Sequence, residues 1–92
     1  MSQPGLRGGY EDVDQLDDVT EHGHVRAVIS QRRGHQKYTF ALFKVFQRDG
    51  IEERTAFFEP DRHLDGILRL LPLVRKKIAE MENKGMSVGR RL

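Results

Sequence analysis

Ninety-two residues, 37% of them hydrophobic, make one domain at most and a thin core, so association with a second copy is a reasonable expectation. With no cysteine, a disulfide framework and a thiolate zinc site are both excluded, which fits a reducing compartment. No apolar run approaches the roughly 18 residues of a spanning helix, and the start Met1-Ser2-Gln3-Pro4-Gly5 is polar, so the chain is expected to be a soluble protein of the cytoplasm or nucleoid.

The formal charge of +2 hides an asymmetry. Before Val25, Glu11, Asp12, Asp14, Asp17, Asp18 and Glu21 face only Arg7, a net −5; from Val25 onward fifteen Lys and Arg face eight acids, a net +7. A basic domain with an acidic arm is an arrangement common among nucleic-acid binders, and it also serves plain solvation. Residues 1–9 hold Pro4, Gly5, Gly8 and Gly9 with little apolar content, and 10–23 set Val13, Leu16 and Val19 among six carboxylates. Three modest apolar residues do not offset the entropy of ordering such a segment, so residues 1–23 are expected to be a disordered acidic arm. A turn of helix or an edge strand over 13–20 are the alternatives.

Order is expected from 24 to 84. Residues 25–32 read as a strand, and Arg33-Gly34-His35-Gln36 connects it to a second, apolar on both faces near its middle, over 37–48. Asp49-Gly50 between aromatic and β-branched runs predicts a type I′ hairpin, which needs positive φ at both central residues. The implied registers place Gln31 opposite Tyr38, Ile29 opposite Phe40 and Ala27 opposite Leu42. Across the second hairpin, Phe46 faces Glu53, Leu42 faces Phe57 and Ala41 faces Phe58.

Because side chains alternate with period two, these registers divide the sheet into two faces. Val25, Ala27, Ile29, Tyr38, Phe40, Leu42, Phe46, Ile51, Thr55 and Phe57 form a core face. The other carries Arg26, Arg32, Lys37 and Arg54 around Phe43 and Phe58, with small residues between. That composition fits bases stacked on the two rings and phosphates held by the cations. It also fits a subunit interface with a charged rim.

Glu59-Pro60-Asp61-Arg62 opens a helix, with proline suited to the first position and acids to the positive end of the dipole. Leu64, Ile67, Leu71, Val74, Ile78 and Met81 then form a stripe spaced three and four apart. Pro72 predicts a kink or break, and Leu70 and Leu73, off the stripe, offer a second apolar edge for a symmetry mate. Asn83-Lys84-Gly85 predicts the stop, leaving residues 85–92 as a flexible basic tail. The fold class is therefore α+β: an antiparallel twisted sheet of three or four strands backed by one long C-terminal helix.

The junction Thr55-Ala56-Phe57-Phe58-Glu59-Pro60-Asp61-Arg62-His63-Leu64, after a hairpin and before a long helix, resembles the C-terminal half of the transcriptional positive-coactivator family, which groups with the Pur-alpha and Whirly proteins. In topology the resemblance covers about residues 25–81, in motif only the junction and helix. It implies a curved antiparallel sheet, dimerisation through helices and sheet edges, and single strands bound across the sheet by Arg26, Arg32, Lys37, Phe43, Arg54 and Phe58. Two departures are that His63 stands where that family often has a bulky aromatic, and that three strands are evident where four are usual.

No catalytic constellation is legible. His22 and His24 with Glu21 have clamp spacing but lack further metal ligands, Asp61 and Asp65 sit where the helix dipole favours acids, and no serine has the setting of an activated nucleophile. The expected function is thus a small, non-enzymatic, cofactor-free binder of single-stranded DNA or RNA, the alternative being a homodimeric protein-interaction module.

Overall fold

The computed structural model describes residues 9–90, with side chains described through Lys84. Four strands, β1 (Tyr10–Val19), β2 (His24–Arg32), β3 (Tyr38–Arg48) and β4 (Ile51–Thr55), precede one helix, α1 (Pro60–Arg90). The strands form an antiparallel sheet in sequence order, each paired with its chain neighbour. The α+β class is as the sequence predicts. Among the described residues no helix is long and apolar enough to cross a membrane.

The acidic segment is the main correction. Residues 10–19 are not a disordered arm but the fourth strand, with Leu16 opposite Ala27 and Asp18 opposite Val25. What offsets the ordering cost is supplied by other elements. Leu16 packs against the core, Arg69 donates two hydrogen bonds of 2.8 Å to Asp18, and Lys77 lies 3.4 Å from Asp14. A bulge between Asp12 and Asp14 shifts the register, so Asp12 turns to the opposite face, where Ser30 donates to it at 2.8 Å. The rest of the expected arm, residues 1–8, lies outside the described residues.

Both predicted hairpins form. Gln31, Ile29 and Ala27 face Tyr38, Phe40 and Leu42. Asp49 and Gly50 have φ of 54° and 79°, the positive values a type I′ turn needs, and Phe46 faces Glu53. The strand β4 stops at Thr55, opposite Lys44, so the expected pairs Leu42 with Phe57 and Ala41 with Phe58 do not form. Residues 38–43 of β3 consequently have no strand beside them on that side among the described residues.

The core joins Val25, Ala27 and Ile29 of β2 to Leu70 and Val74 of α1, with Leu16, Tyr38, Leu42, Phe58, Ile67, Ile78 and Met81 around it. Leu70 is 1% exposed, at the centre of the helix's buried stripe, and is therefore not available to a symmetry mate as expected. The stripe is rotated from the predicted one: Leu64 and Leu71 fall on its outer flank, half exposed, because the helix lies chiefly over β1 and β2 and only lightly over β3. Leu73 is exposed, as its place off the stripe implies. The helix runs through Pro72 without interruption and past Gly85 to Arg90, so neither the expected break nor the expected stop occurs. Position 72 is exposed, which leaves the ring in solvent, while Leu70 and Val74 on either side hold the helix to the sheet. Of the expected flexible tail, residues 85–90 belong to this helix, and 91–92 lie outside the described residues.

Candidate nucleic-acid interface

With α1 on one side, the sheet presents its other face bare. The even-numbered residues of β2 point there: His24, Arg26, Val28, Ser30 and Arg32. Opposite them stand Thr39, Ala41, Phe43 and Val45 of β3, and beyond these Glu52 and Arg54 of β4. From β1, which the sequence reading left out of the sheet, come Asp12, Gln15 and Asp17.

Asp17 changes the chemistry of the face. Arg26 donates from Nε to Asp17 at 2.8 Å and from one terminal nitrogen to Glu52 at 2.7 Å, reaching from β2 across β3 to β4. His24 lies 2.6 Å from the same Asp17 oxygen. Only 13% of the Arg26 side chain is exposed. Partial burial pushes the Asp17 carboxyl up, but the hydrogen bonds from His24 and Arg26 outweigh it and leave the group below the usual aspartate value of 3.8. The Arg26 hydrogen bond likewise holds Glu52 below its usual 4.5. Val45 and Val28, buried although no helix covers this face, lie among these long side chains. Arg26 is therefore a brace tying β1, β2 and β4, and is not free to meet phosphate as predicted.

Phe58 is the second correction. Since β4 ends three residues earlier, the chain turns towards the helix, and Phe58 packs against the core with its ring edge-on to His63 at 5.8 Å. His63, 3% exposed, accepts the Glu59 N–H at Nδ1 (3.0 Å). A Cβ on Gly23 would stand 2.8 Å from this ring, so the β1–β2 turn closes directly on the helix start. Phe57, assigned to the core by alternation, is instead 81% exposed.

The remaining predicted residues stay on or beside the face. The Arg54 guanidinium lies 4.3 Å from the centre of the Phe43 ring, a cation–π pair bridging β3 and β4. Arg32, at the far end of β2, and Lys37, just before β3, are exposed. Arg32, Lys37 and Arg54 make no ion pair among the described residues. The structure thus keeps Phe43 and Arg54 in contact on this face, with Arg32 and Lys37 at the far end of the β2–β3 hairpin, and removes Arg26 and Phe58. The acids Asp12, Asp17 and Glu52 share the face, and only Asp12 and Asp17 were hidden by treating β1 as an arm. Alternation of Asp14, Leu16 and Asp18 with Gln15 and Asp17 is the signal that could have found Asp17, whereas the bulge conceals Asp12. No family model, characterised protein or solved structure matches this chain.

Proposed function

We propose that the protein binds single-stranded nucleic acid, DNA or RNA, on the uncovered face of its sheet, in transcription or another step of nucleic-acid metabolism. The observation that carries this reading is the Phe43–Arg54 pair, a partly buried ring beneath an exposed guanidinium, on a face whose far end carries two cations without an ion pair among the described residues. A base stacks on that planar group and the ring beneath it, an interaction worth about 1–3 kcal/mol per base, while Arg32 and Lys37 meet phosphates. Sequence preference is weak, since neither stacking nor phosphate contact reads a base edge.

Magnitudes follow from the count of free cations. Two phosphate contacts on a single strand give a slope of about −1.4 in log affinity against log salt, hence roughly sevenfold weaker binding at 200 mM than at 50 mM. Fluorescence anisotropy with a labelled mixed-sequence single strand and its duplex tests this. The single strand is expected to bind more tightly, with that slope, and Phe43→Ala with Arg54→Ala to abolish the preference. Absence of binding at 50 mM salt by the native chain overturns the reading.

A second reading is a homodimeric protein-interaction module. Leu64, Leu68 and Leu73 favour it, three leucines about half exposed on α1 where no element among the described residues covers them. Association of this kind is insensitive to salt, in contrast to phosphate binding.

A further inference from the structure

The open edge of β3 and the groove beside it form a second surface, on the helix side of the sheet. Where β4 ends, residues 38–43 leave alternate backbone N–H and C=O groups without a strand partner among the described residues, and backbone polar groups in a ladder direction are a template for another strand. Directly alongside runs a groove of about 400 Å³ lined by Phe40, Leu71, Val74, Arg75, Ile78 and Glu82. Phe40 is 48% exposed at its floor. Cations outnumber acids around it: Lys44 stands at the end of the open edge and Arg75 lies in the groove, against the acid Glu82, and no ion pair within the chain engages these cations among the described residues.

The opposite edge of the same sheet shows what such a combination accepts. There β1, an acidic strand with apolar residues interspersed, lies along β2, turns Leu16 beneath the helix and gives Asp18 and Asp14 to Arg69 and Lys77 of the helix. On the β3 side the ladder, the apolar groove and the helix cation are present without the strand. We propose that residues 38–43 and the Phe40–Leu71–Ile78 groove dock an extended acidic–apolar peptide segment of a partner protein by strand addition. The peptide backbone completes the β3 ladder, its alternate apolar side chains enter the groove, and its acids meet Lys44 and Arg75. This surface is separate from the nucleic-acid face, on the other side of the sheet.

The test uses the full chain and a synthetic peptide, Tyr-Glu-Asp-Val-Asp-Gln-Leu-Asp-Asp-Val, which is the chain's own acidic strand, followed by residue-resolved amide hydrogen exchange. Alternate amides within 38–43 are expected to slow at least about tenfold with peptide present. A peptide N-methylated at alternate residues, which cannot complete the ladder, should lose that protection, and Phe40→Ala should weaken binding about tenfold. No protection at millimolar peptide overturns the proposal. So does protection confined to β2, which means exchange with β1, or binding indifferent to both N-methylation and Phe40→Ala. Protection of 38–43 in peptide-free protein that sediments as a dimer assigns the edge to a second copy and overturns it as well.

Discussion

Gly66 shows how tightly the acidic strand is fitted to the helix. A Cβ at this position would lie 3.0 Å from Oδ1 of Asp18 and 3.2 Å from Cγ2 of Val25. Alanine in a helix interior gains about 1 kcal/mol over glycine, whereas overpacking costs about 1–3 kcal/mol. Asp18 has no easy retreat, because both its oxygens hold Arg69. Gly66→Ala is therefore expected to lower stability by about 1 kcal/mol despite its helix propensity, as measured by urea denaturation; a rise in stability would show that β1 yields.

The carboxylates of this network also set a dependence on pH. The hydrogen bonds from Arg69 hold Asp18 below the usual aspartate value, and Asp17 and Glu52 are lowered as well. A carboxyl lowered in the fold binds fewer protons there than in the unfolded chain at the same pH, so its contribution is full above the unfolded values of 3.8 and 4.5 and is lost as pH falls through the folded values. Stability is expected to be flat with respect to these groups above about pH 5.5 and to fall steadily below about pH 4. Denaturation across pH 3–7 checks the sign, and Asp17→Asn with Asp18→Asn should flatten the acid limb.

At the scale of the element, β1 is the lesson in what one sequence conceals. Strands β2, β3 and β4 are legible from local signals: alternation, β-branched and aromatic content, and a dipeptide whose two residues take positive φ. The carboxylates of β1 read as solvated because their partners, Arg26, Arg69 and Lys77, lie up to 63 positions away in the chain. Helix existence is legible, its buried stripe only in part, because choosing Leu70 over Leu64 depends on which half of the sheet the helix covers. The proposed binding face is legible where register alone decides it, at Phe43 and Arg54. It fails at Phe58, where the strand ends early, and at Arg26, where acids from distant strands claim the guanidinium.

If β1 is structural, removing it cannot simply unmask a basic surface. A chain starting at Gly23 loses the Leu16 contact and three ion-paired aspartates and bares the β2 edge over the core. It is expected to unfold tens of degrees below the intact protein, or to aggregate, in a circular-dichroism melt. An unchanged melting temperature would mean that the strand contributes nothing to the fold.

For the whole molecule, one helix laid over half of a four-stranded sheet divides the surface by chemistry. One sheet face is braced by Asp17, Arg26 and Glu52 and keeps Phe43, Arg54 and Arg32 accessible. The helix side leaves Phe40, Leu64 and Leu68 uncovered towards β3 and along α1. Charge is distributed in the same way, since the acids of the N-terminal segment are largely spent on cations of the rest, so that Arg32, Lys37 and Arg54 remain for a polyanion. Binding is thus expected to be weaker and less salt-sensitive than a +7 domain with a detached arm would give, because two cations and not the whole excess meet phosphate.

The most direct measurement is a two-dimensional amide NMR titration of the full chain with a short oligothymidine at 50 mM salt. The account predicts shifts concentrated at Arg32, Phe43, Val45 and Arg54, with the groove residues Leu71 and Ile78 unmoved, and in Phe43→Ala with Arg54→Ala only weakened shifts near Arg32. Shifts centred on α1, or none at all at millimolar oligonucleotide, would contradict the assignment of the bare sheet face as the nucleic-acid surface.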